Sequence, residues 1–318
     1  MTQVKCRVGT AGHHALHVLR HRAHLPVRVL HPFDGSPAAL RAGDLLAAVL
    51  PRGDGTALSV LNVQSRPIAL WPGSGLDPGE LEAALLEAGN AVLAPALERF
   101  AAAGLRAQPA VRLGLPAEGI LREAASYKAD AIVMGTRGKG ALQGYALGSV
   151  ALRVAHGAAM PVLLVKPADR LPASRAGRLR VLLAIDGSEP ALRAAGRLAA
   201  WRGWLGELDV HLVHVQEPLG LLAKLLPPHD DLVEQWSTRH AEQATQPARD
   251  LLAREGVRTS LHLTEGDAAR EIAQLAEETQ SDLVVAGTRG RGAAHHALVG
   301  SVALKSAALG HTPLLLVP

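Results

Sequence analysis

The 318-residue chain is poor in cysteine, in aromatic residues and in long apolar runs, and each shortage excludes a class of protein. Its one cysteine, Cys6, excludes an internal disulfide framework and fits a reducing compartment. Aromatic residues make up 3%, too few for a platform that stacks nucleic-acid bases. No apolar stretch is long enough to span a membrane, and the start lacks the apolar region of a signal peptide. We therefore expect a cytoplasmic protein without a membrane partner.

Acidic residues are missing from the first 25 positions, and this accounts for the basic character of the chain. Those positions contain Lys5, Arg7, Arg20 and Arg22, which equal the whole formal charge of +4, so residues 26–318 sum to zero. A neutral body has no broad positive surface for DNA or RNA. We therefore expect no nucleic-acid partner.

The same basic extension, residues 1–25, is rich in histidine. It holds His13, His14, His17, His21 and His24. In a helix, His13, His17 and His21 would share one face, a spacing that can bind a transition metal. The alternative is a poorly ordered tail, which is common at termini and which we favour. We therefore assign no metal site here.

What the chain does have is one motif twice, 152 positions apart. The motif is Gly-x2-Gly-x9-Gly-Ser, at Gly135–Ser149 and at Gly287–Ser301. At the same offset, eighteen of the thirty-six residues between Asp130 and Val165 are identical to their counterparts, without a gap. The early Asp-Gly-Ser turn is also repeated, at Asp34 and Asp186. A constant offset over this length indicates two copies of one domain.

The repeat sets the expected domain boundaries and fold. We place the extension at 1–25, the first domain at 26–167, a linker at 168–178 and the second domain at 179–318. Each copy alternates short apolar strands with helices, which predicts an α/β domain with a five-stranded parallel sheet in the order 3-2-1-4-5 and helices on both faces. Ligands of such Rossmann-like sheets bind beyond the carboxyl ends of strands 1 and 4. The Asp-Gly-Ser turn and the glycine motif follow those two strands.

The glycine motif has the chemistry of a phosphate site. Its glycines, at 135, 138 and 148 and at 287, 290 and 300, let phosphate approach the backbone and allow positive φ. Ser149 and Ser301 lie where a helix begins, where a hydroxyl caps the helix or binds phosphate. Arg137 and Arg289 are either phosphate ligands or solvated loop charges. The sequence contains neither a P-loop nor a dinucleotide Gly-x-Gly-x-x-Gly after the first strand.

Taken together, the motif, the Asp-Gly-Ser turn and the Pro-Val-Leu-Leu-Val ending resemble the universal stress protein family in its tandem form. The resemblance covers residues 26–318. It implies two adenine nucleotide alpha hydrolase-like domains of the ATP-binding branch, hence an ATP-binding stress-response regulator with ATP, alone or with Mg2+, as ligand.

The resemblance also implies roles for individual residues. Asp34 and Asp186 would lie against adenine or ribose, although Asp-Gly-Ser also suits a simple turn or cap. The backbones of Val63 and Val215 would meet the adenine edge. Ribose and phosphates would be held by a set from both motifs: Gly135, Gly138, Gly148, Ser149, Val150, Gly287, Gly290, Gly300, Ser301 and Val302.

The first copy departs from the pattern in ways that make the second pocket the safer expectation. His31-Pro32 is expected to interrupt the first strand, Phe33 replaces a smaller residue, Tyr145 enters the motif loop and Gly119 is expected to weaken the third helix. These departures motivate an alternative, an interaction protein of the same fold with one nucleotide site or none.

No catalytic constellation is evident in the sequence, so the site residues include no catalytic or metal-binding group. Slow ATP hydrolysis or autophosphorylation is the most that the resemblance implies. An adenylyl-transfer enzyme would need further motifs that the chain lacks. The resemblance further implies that the last strands of the two domains, Val162–Val165 and Leu314–Val317, pair with each other. That pairing would make an intramolecular pseudo-dimer, able to dimerise further.

Overall fold

The computed structural model describes the chain from the first strand of the first copy to its last residue, with several gaps. The described residues are 27–51, 56–65, 77–138, 147–172, 178–216, 230–288, 290 and 300–318. The basic extension, with its histidines, lies outside them. No helix in these ranges is long and apolar enough to cross a membrane.

Both halves of the chain alternate strands and helices. The first half contains β1 (Val27–Pro32), α1 (Pro37–Val49), β2 (Thr56–Gln64), α2 (Pro78–Ala102), β3 (Ala107–Leu113), α3 (Pro116–Tyr127), β4 (Ala131–Gly135), α4 (Ser149–Gly157) and β5 (Val162–Val165). The second half contains β6 (Leu179–Ala184), α5 (Glu189–Leu205), β7 (Leu208–Gln216), α6 (Asp230–Arg254), β8 (Arg258–Glu265), α7 (Ala268–Glu278), β9 (Leu283–Gly287), α8 (Ser301–Leu309) and β10 (Leu314–Val317).

The described strands form one ten-stranded sheet in the order β3-β2-β1-β4-β5-β10-β9-β6-β7-β8. Each half is parallel and has the predicted order 3-2-1-4-5. The doubly wound α/β architecture expected from the alternating pattern is therefore confirmed. Buried aliphatic side chains fill the space between this sheet and its helices on both faces.

The two halves meet through an antiparallel pair of strands, β5 and β10. Leu315 lies opposite Leu163, and one apolar core, which includes Ile132 and Ile272, continues from one half into the other. Because this pair is antiparallel, the carboxyl ends of the strands in the two halves lie at opposite edges of the sheet. The two motifs, which begin at the ends of β4 and β9, therefore start at opposite edges of the sheet.

Residues 166–170, which follow β5, make polar contacts with the second half. The Lys166 Nζ donates to the carbonyl of Gly310 and lies 3.6 Å from Asp169, and the Arg170 N–H donates to His311 O at 2.9 Å. Burial lowers the pKa of Lys166 and raises the pKa of Asp169, and the attraction between the two charges opposes both shifts. Lys166 and Asp169 therefore add a pair of charges beside the apolar junction of β5 and β10.

The expected interruption of β1 at His31-Pro32 is wrong. The strand continues to Pro32, which pairs with Leu61 of β2. Since the N–H of Phe33 donates to Leu61 O on β2, and neighbouring N–H groups of a strand point to opposite sides, position 32 faces β4. Proline has no N–H to give there. The Nδ1–H of buried His31 instead donates to Val133 O at 2.8 Å on β4.

The second half shows the ordinary form of the same ladder. Leu183 and Ala184 occupy the positions of His31 and Pro32, and the β6–β9 pairing extends to Leu183 opposite Val285. The β1–β4 pairing stops one pair earlier, at Leu30 opposite Ile132. A histidine side chain therefore replaces a backbone hydrogen bond that a proline removes.

Gly119 and Pro247 both lie inside continuous helices. Gly119 does not break α3, which runs from Pro116 to Tyr127. A Cβ at Gly119 would lie 2.9 Å from Val63 Cγ1, so the glycine makes room for the end of β2. Pro247 lies inside α6, which runs without a break from Asp230 to Arg254.

Candidate nucleotide site

A cavity of about 450 Å³ lies at the carboxyl edge of the first half. It lies between the ends of β1 and β4, where the sheet order reverses, as expected for this topology. Pockets for small ligands commonly have volumes of roughly 300–1,000 Å³. The cavity is therefore large enough for a mononucleotide.

The lining divides into an apolar part and a polar part. The apolar part is contributed by the end of β2, the start of α3 and the end of β4: Leu61, Val63, Pro116, Ile120 and Met134. The polar part combines the turn after β1 with the glycine motif: Asp34, Ser36, Gly135, Thr136, Arg137, Gly138, Gly148 and Ser149. Such a cavity can take a ligand with a flat apolar end and a charged end.

The Asp-Gly-Ser turn places its aspartate in the cavity wall. Asp34 Oδ1 accepts the N–H of Ser36 at 2.9 Å, and Gly35 between them has a φ of 74°, a conformation that favours glycine. Ser36 caps α1 by accepting the N–H of Ala39 at 3.2 Å. The aspartate therefore forms a turn and also faces the cavity, so the two sequence interpretations are compatible.

The motif glycines are needed for close approach and not for positive φ, which corrects the second part of the sequence argument. None of the six motif glycines has a positive φ, and all six are described. A Cβ at Gly135 would lie 2.6 Å from the backbone of Ala38. A Cβ at Gly138 would lie 2.7 Å from Asp34 Oδ2. Bare backbone at these positions lets the motif loop lie against α1 and the aspartate.

The start of α4 presents the partial positive charge of a helix N-terminus to the cavity. Gly148 is the N-cap, and no side chain caps this end, so Ser149 does not act as the cap that the sequence allowed. The Gly148 N–H closes the loop by donating to Thr136 O at 2.7 Å. The backbone of Arg137 is held by the Ser36 hydroxyl, which donates to its carbonyl at 3.0 Å. Uncapped N–H groups at a helix start favour an anion.

The second half repeats the same contacts where it is described. Asp186 Oδ1 accepts the N–H of Ser188 at 2.9 Å, and Gly187 has a φ of 79°. A Cβ at Gly290 would lie 2.6 Å from Asp186 Oδ2. The Gly300 N–H donates to Thr288 O at 2.7 Å, and α8 has no side-chain cap. The turn and the motif therefore meet in both halves.

The remaining predicted residues are placed as follows. Val150 packs against the core beside the first cavity, Val215 is partly buried at the end of β7, and Val302 is exposed. Gly287 lies close to the backbone of Pro190. Arg289, the Ser301 side chain, Tyr145 and the rest of both motif loops lie outside the described residues.

Sequence reasoning missed several residues of the site. Asn62 and His214 occupy equivalent positions, and their side chains donate to the carbonyls of Phe33 at 2.8 Å and of Ile185 at 2.7 Å, just before each aspartate. The buried Thr136 is an unspecified position of the motif as written, yet it lines the cavity. The apolar lining residues of α3, Pro116 and Ile120, come soon after the carboxyl end of β3. Their position in the sequence could have indicated that they lie at this edge of the sheet.

The departures at His31 and Phe33 do not fill the first cavity. His31 packs in the core against Phe100, with ring centres 5.9 Å apart, and burial lowers its pKa to about 4. Phe33 is itself part of the lining. Neither departure therefore closes the cavity that the described residues form in the first half.

Comparisons with known proteins agree with this architecture. The family model described as the universal stress protein family matches residues 27–166 and again 177–318. A universal stress protein of Mycolicibacterium smegmatis is 33% identical over 193 residues, which cover 61% of this chain and 63% of that relative. A universal stress protein of Methanocaldococcus jannaschii is 33% identical over 150 residues, or 47% of this chain and 87% of the relative.

Among solved structures, a universal stress protein from Archaeoglobus fulgidus superposes with a TM-score of 0.60 at 23% identity. The match covers 91% of this chain and 95% of that one. At this identity the likeness concerns the fold. Because the two family matches together span most of the residues, the chain belongs to the universal stress protein family and carries two of its domains in tandem.

Proposed function

We propose that the protein binds an adenine nucleotide, with ATP as the first candidate, in one pocket per domain and regulates a stress response through its nucleotide state. The single observation that carries this proposal is the first cavity, in which an apolar slot, a carboxylate and an uncapped helix start line one volume of about 450 Å³. A base, a ribose and a phosphate chain need these three environments in this order.

In the proposed complex, adenine occupies the apolar slot beside Val63, with its edge toward the strand backbone. The Asp34 carboxylate accepts hydrogen bonds from the ribose hydroxyls. Phosphates lie against the motif glycines and the start of α4, with Arg137 available to neutralise charge. Asp186, Val215 and the second motif take the same roles in the second domain.

In this proposal, any Mg2+ is bound by the phosphate oxygens of the nucleotide and not by a dedicated set of protein ligands. Asp34 is the one carboxylate among the described lining residues of the first cavity. Mg2+ usually keeps several waters and takes one or two carboxylates with substrate phosphates. A dedicated protein site for the metal is therefore not part of the proposed function.

Calorimetry with ATP, ADP and AMP tests the nucleotide claim. We expect saturable binding, and we expect Gly148→Val and Gly300→Val each to remove one site. A Cβ at Gly148 would lie 3.1 Å from Thr136 O, so a bulkier side chain would displace the motif backbone that lines the phosphate end of the cavity. Gly203→Ala is the matched control, since no atom lies within 4 Å of a Cβ at this position of α5. Absence of binding by all three nucleotides would contradict the proposal.

Stoichiometry separates this function from the alternative of an interaction protein with one working pocket. Two nucleotides per chain support the two-site proposal, and one nucleotide per chain supports the alternative. Release of pyrophosphate from ATP in the presence of an acceptor would point to adenylyl transfer instead.

We also propose that the domains, 26–167 and 179–318 with the linker 168–178, act as an intramolecular pseudo-dimer. The opposed positions of Leu163 and Leu315 support this. A Leu163→Cys/Leu315→Cys variant in a Cys6→Ser background should form a disulfide within one chain on oxidation. Crosslinks only between chains would contradict the proposal.

A further inference from the structure

The second domain contains a pair of histidines that the proposed function does not use. His211 lies on β7 and His262 on β8, both partly buried, and β8 is the outermost strand of the described sheet. His211 Nδ1 and His262 Nε2 are 2.9 Å apart, and the ring centres are 5.1 Å apart. Two imidazole nitrogens therefore face each other at an accessible sheet edge.

The spacing of these nitrogens suits two ligands of one metal ion. With metal–nitrogen bonds of about 2.05 Å, two ligands are roughly 2.9 Å apart at a right angle and roughly 3.3 Å apart at a tetrahedral angle. The observed separation of 2.9 Å needs little change for either geometry. Rotation of each ring by roughly 35–45° would turn both lone pairs toward one point outside the pair.

A carboxylate near the pair can complete the set. Glu278, near the end of α7, is close enough to His262 for its negative charge to act on that imidazole. Gln274 donates to Glu278 Oε1 at 2.8 Å. Within the described ranges no three ligating side chains already converge, so Glu278 must rotate to join the histidines.

We propose that His211 and His262, joined by Glu278 and water, form a binding site for a borderline transition-metal ion such as Zn2+ or Ni2+. Imidazole is a preferred ligand of these ions, and two imidazoles with a carboxylate are a common set. The ion links the edge strand β8 to β7 and to the end of α7.

The protonation of the pair favours this reaction. Burial, followed by the charge of His211, lowers the pKa of His262, which favours the neutral imidazole that binds a metal ion. In the metal-free pair one ring donates its N–H to the other. On binding, that proton moves to the outer nitrogen of the same ring, which leaves both facing nitrogens as ligands without any net loss of a proton.

The first domain provides an internal comparison. At the offset of 152, Ser59, Ala110 and Ser126 stand where the second domain has His211, His262 and Glu278. The site is therefore particular to the second domain and separate from the repeated nucleotide motif.

The test is a Zn2+ or Ni2+ titration by calorimetry on the untagged full chain, free of nucleotide. Because the extension also holds histidines, the background protein carries five substitutions there: His13→Ala, His14→Ala, His17→Ala, His21→Ala and His24→Ala. We expect one site per chain. His211→Ser and His262→Ala should each weaken binding at least about tenfold, and Glu278→Ser should weaken it less. His156→Ala, which removes another partly buried histidine, is the matched control.

A second measurement separates loss of the site from loss of the fold. In the background protein with His211 and His262 intact, the imidazole NMR signals of these two residues should shift on addition of Zn2+, while the signal of His156 should not. The proposal would be overturned if the His211 and His262 variants bound the metal ion as tightly as the background protein. It would also be overturned if these two NMR signals did not shift. Because nucleotide is absent, the result is independent of ATP binding.

Discussion

His31 gives a prediction that follows closely from the fold. The imidazole is buried, donates to Val133 O in place of the N–H that Pro32 lacks, and has a pKa of about 4 instead of 6.5. Replacing both residues by their second-domain counterparts, as His31→Leu/Pro32→Ala, exchanges the side-chain donor for a backbone donor. The double variant should therefore keep the hydrogen bond to Val133 and lose the titrating group.

The magnitude at neutral pH comes from the hydrogen bond. His31→Leu alone leaves the buried Val133 carbonyl without its donor, which costs about 1–3 kcal/mol. Adding Pro32→Ala supplies an N–H and should recover most of that loss. We expect a coupling energy of about 1–2 kcal/mol between the two substitutions, measured by urea unfolding of both single variants and the double variant.

The pH dependence has a definite sign. Because the unfolded chain takes up a proton near pH 6.5 and the folded chain only near pH 4, burial of neutral His31 loses stability as the pH falls between these values. From about pH 7.5 to about pH 5 the loss is about 2 kcal/mol. Wild type should therefore lose about 2 kcal/mol more than the double variant over this range. The reasoning would be refuted if wild type and the double variant lost the same free energy of unfolding over this range. It would also be refuted if the effects of the two single substitutions on that free energy were additive.

The other predictions concern the motif glycines. Gly135→Ala should lower the free energy of unfolding by about 1–3 kcal/mol, because its Cβ would lie 2.6 Å from the backbone of Ala38; urea denaturation checks this. Gly138→Ala should leave stability almost unchanged but raise the dissociation constant for ATP about tenfold, since its Cβ displaces Asp34 Oδ2; a calorimetric value equal to wild type would contradict this. Gly290→Ala should do the same through Asp186 in the second domain alone, which separates the two sites.

Much of the architecture could be predicted because the sequence contains two copies of one domain, so each pattern could be checked against its counterpart. The motif glycines at 135 and 287 marked the ends of β4 and β9. The strand–helix alternation indicated a doubly wound sheet, for which the order 3-2-1-4-5 was expected and is found. The meeting of Asp34 with Gly138 followed from that order, since the turn and the motif follow neighbouring strands. Local pattern and topology were sufficient for these features.

Other features depend on contacts between distant residues, which no local pattern encodes. Pro32 was expected to interrupt β1 because propensity describes one residue, whereas the structure supplies a donor from its neighbour His31 to a carbonyl on β4. Gly119 was expected to weaken α3, but its role is to admit Val63 from β2. The partnership of His211 and His262 also requires the pairing of β7 with β8, which places residues 51 positions apart side by side.

The most direct test of the nucleotide proposal is mass spectrometry of small molecules released from the purified full chain, followed by calorimetric stoichiometry. The account predicts that an adenine nucleotide is released on denaturation and that the emptied protein rebinds two equivalents of ATP per chain. Release of no nucleotide, together with no calorimetric binding of ATP, ADP or AMP, would contradict it.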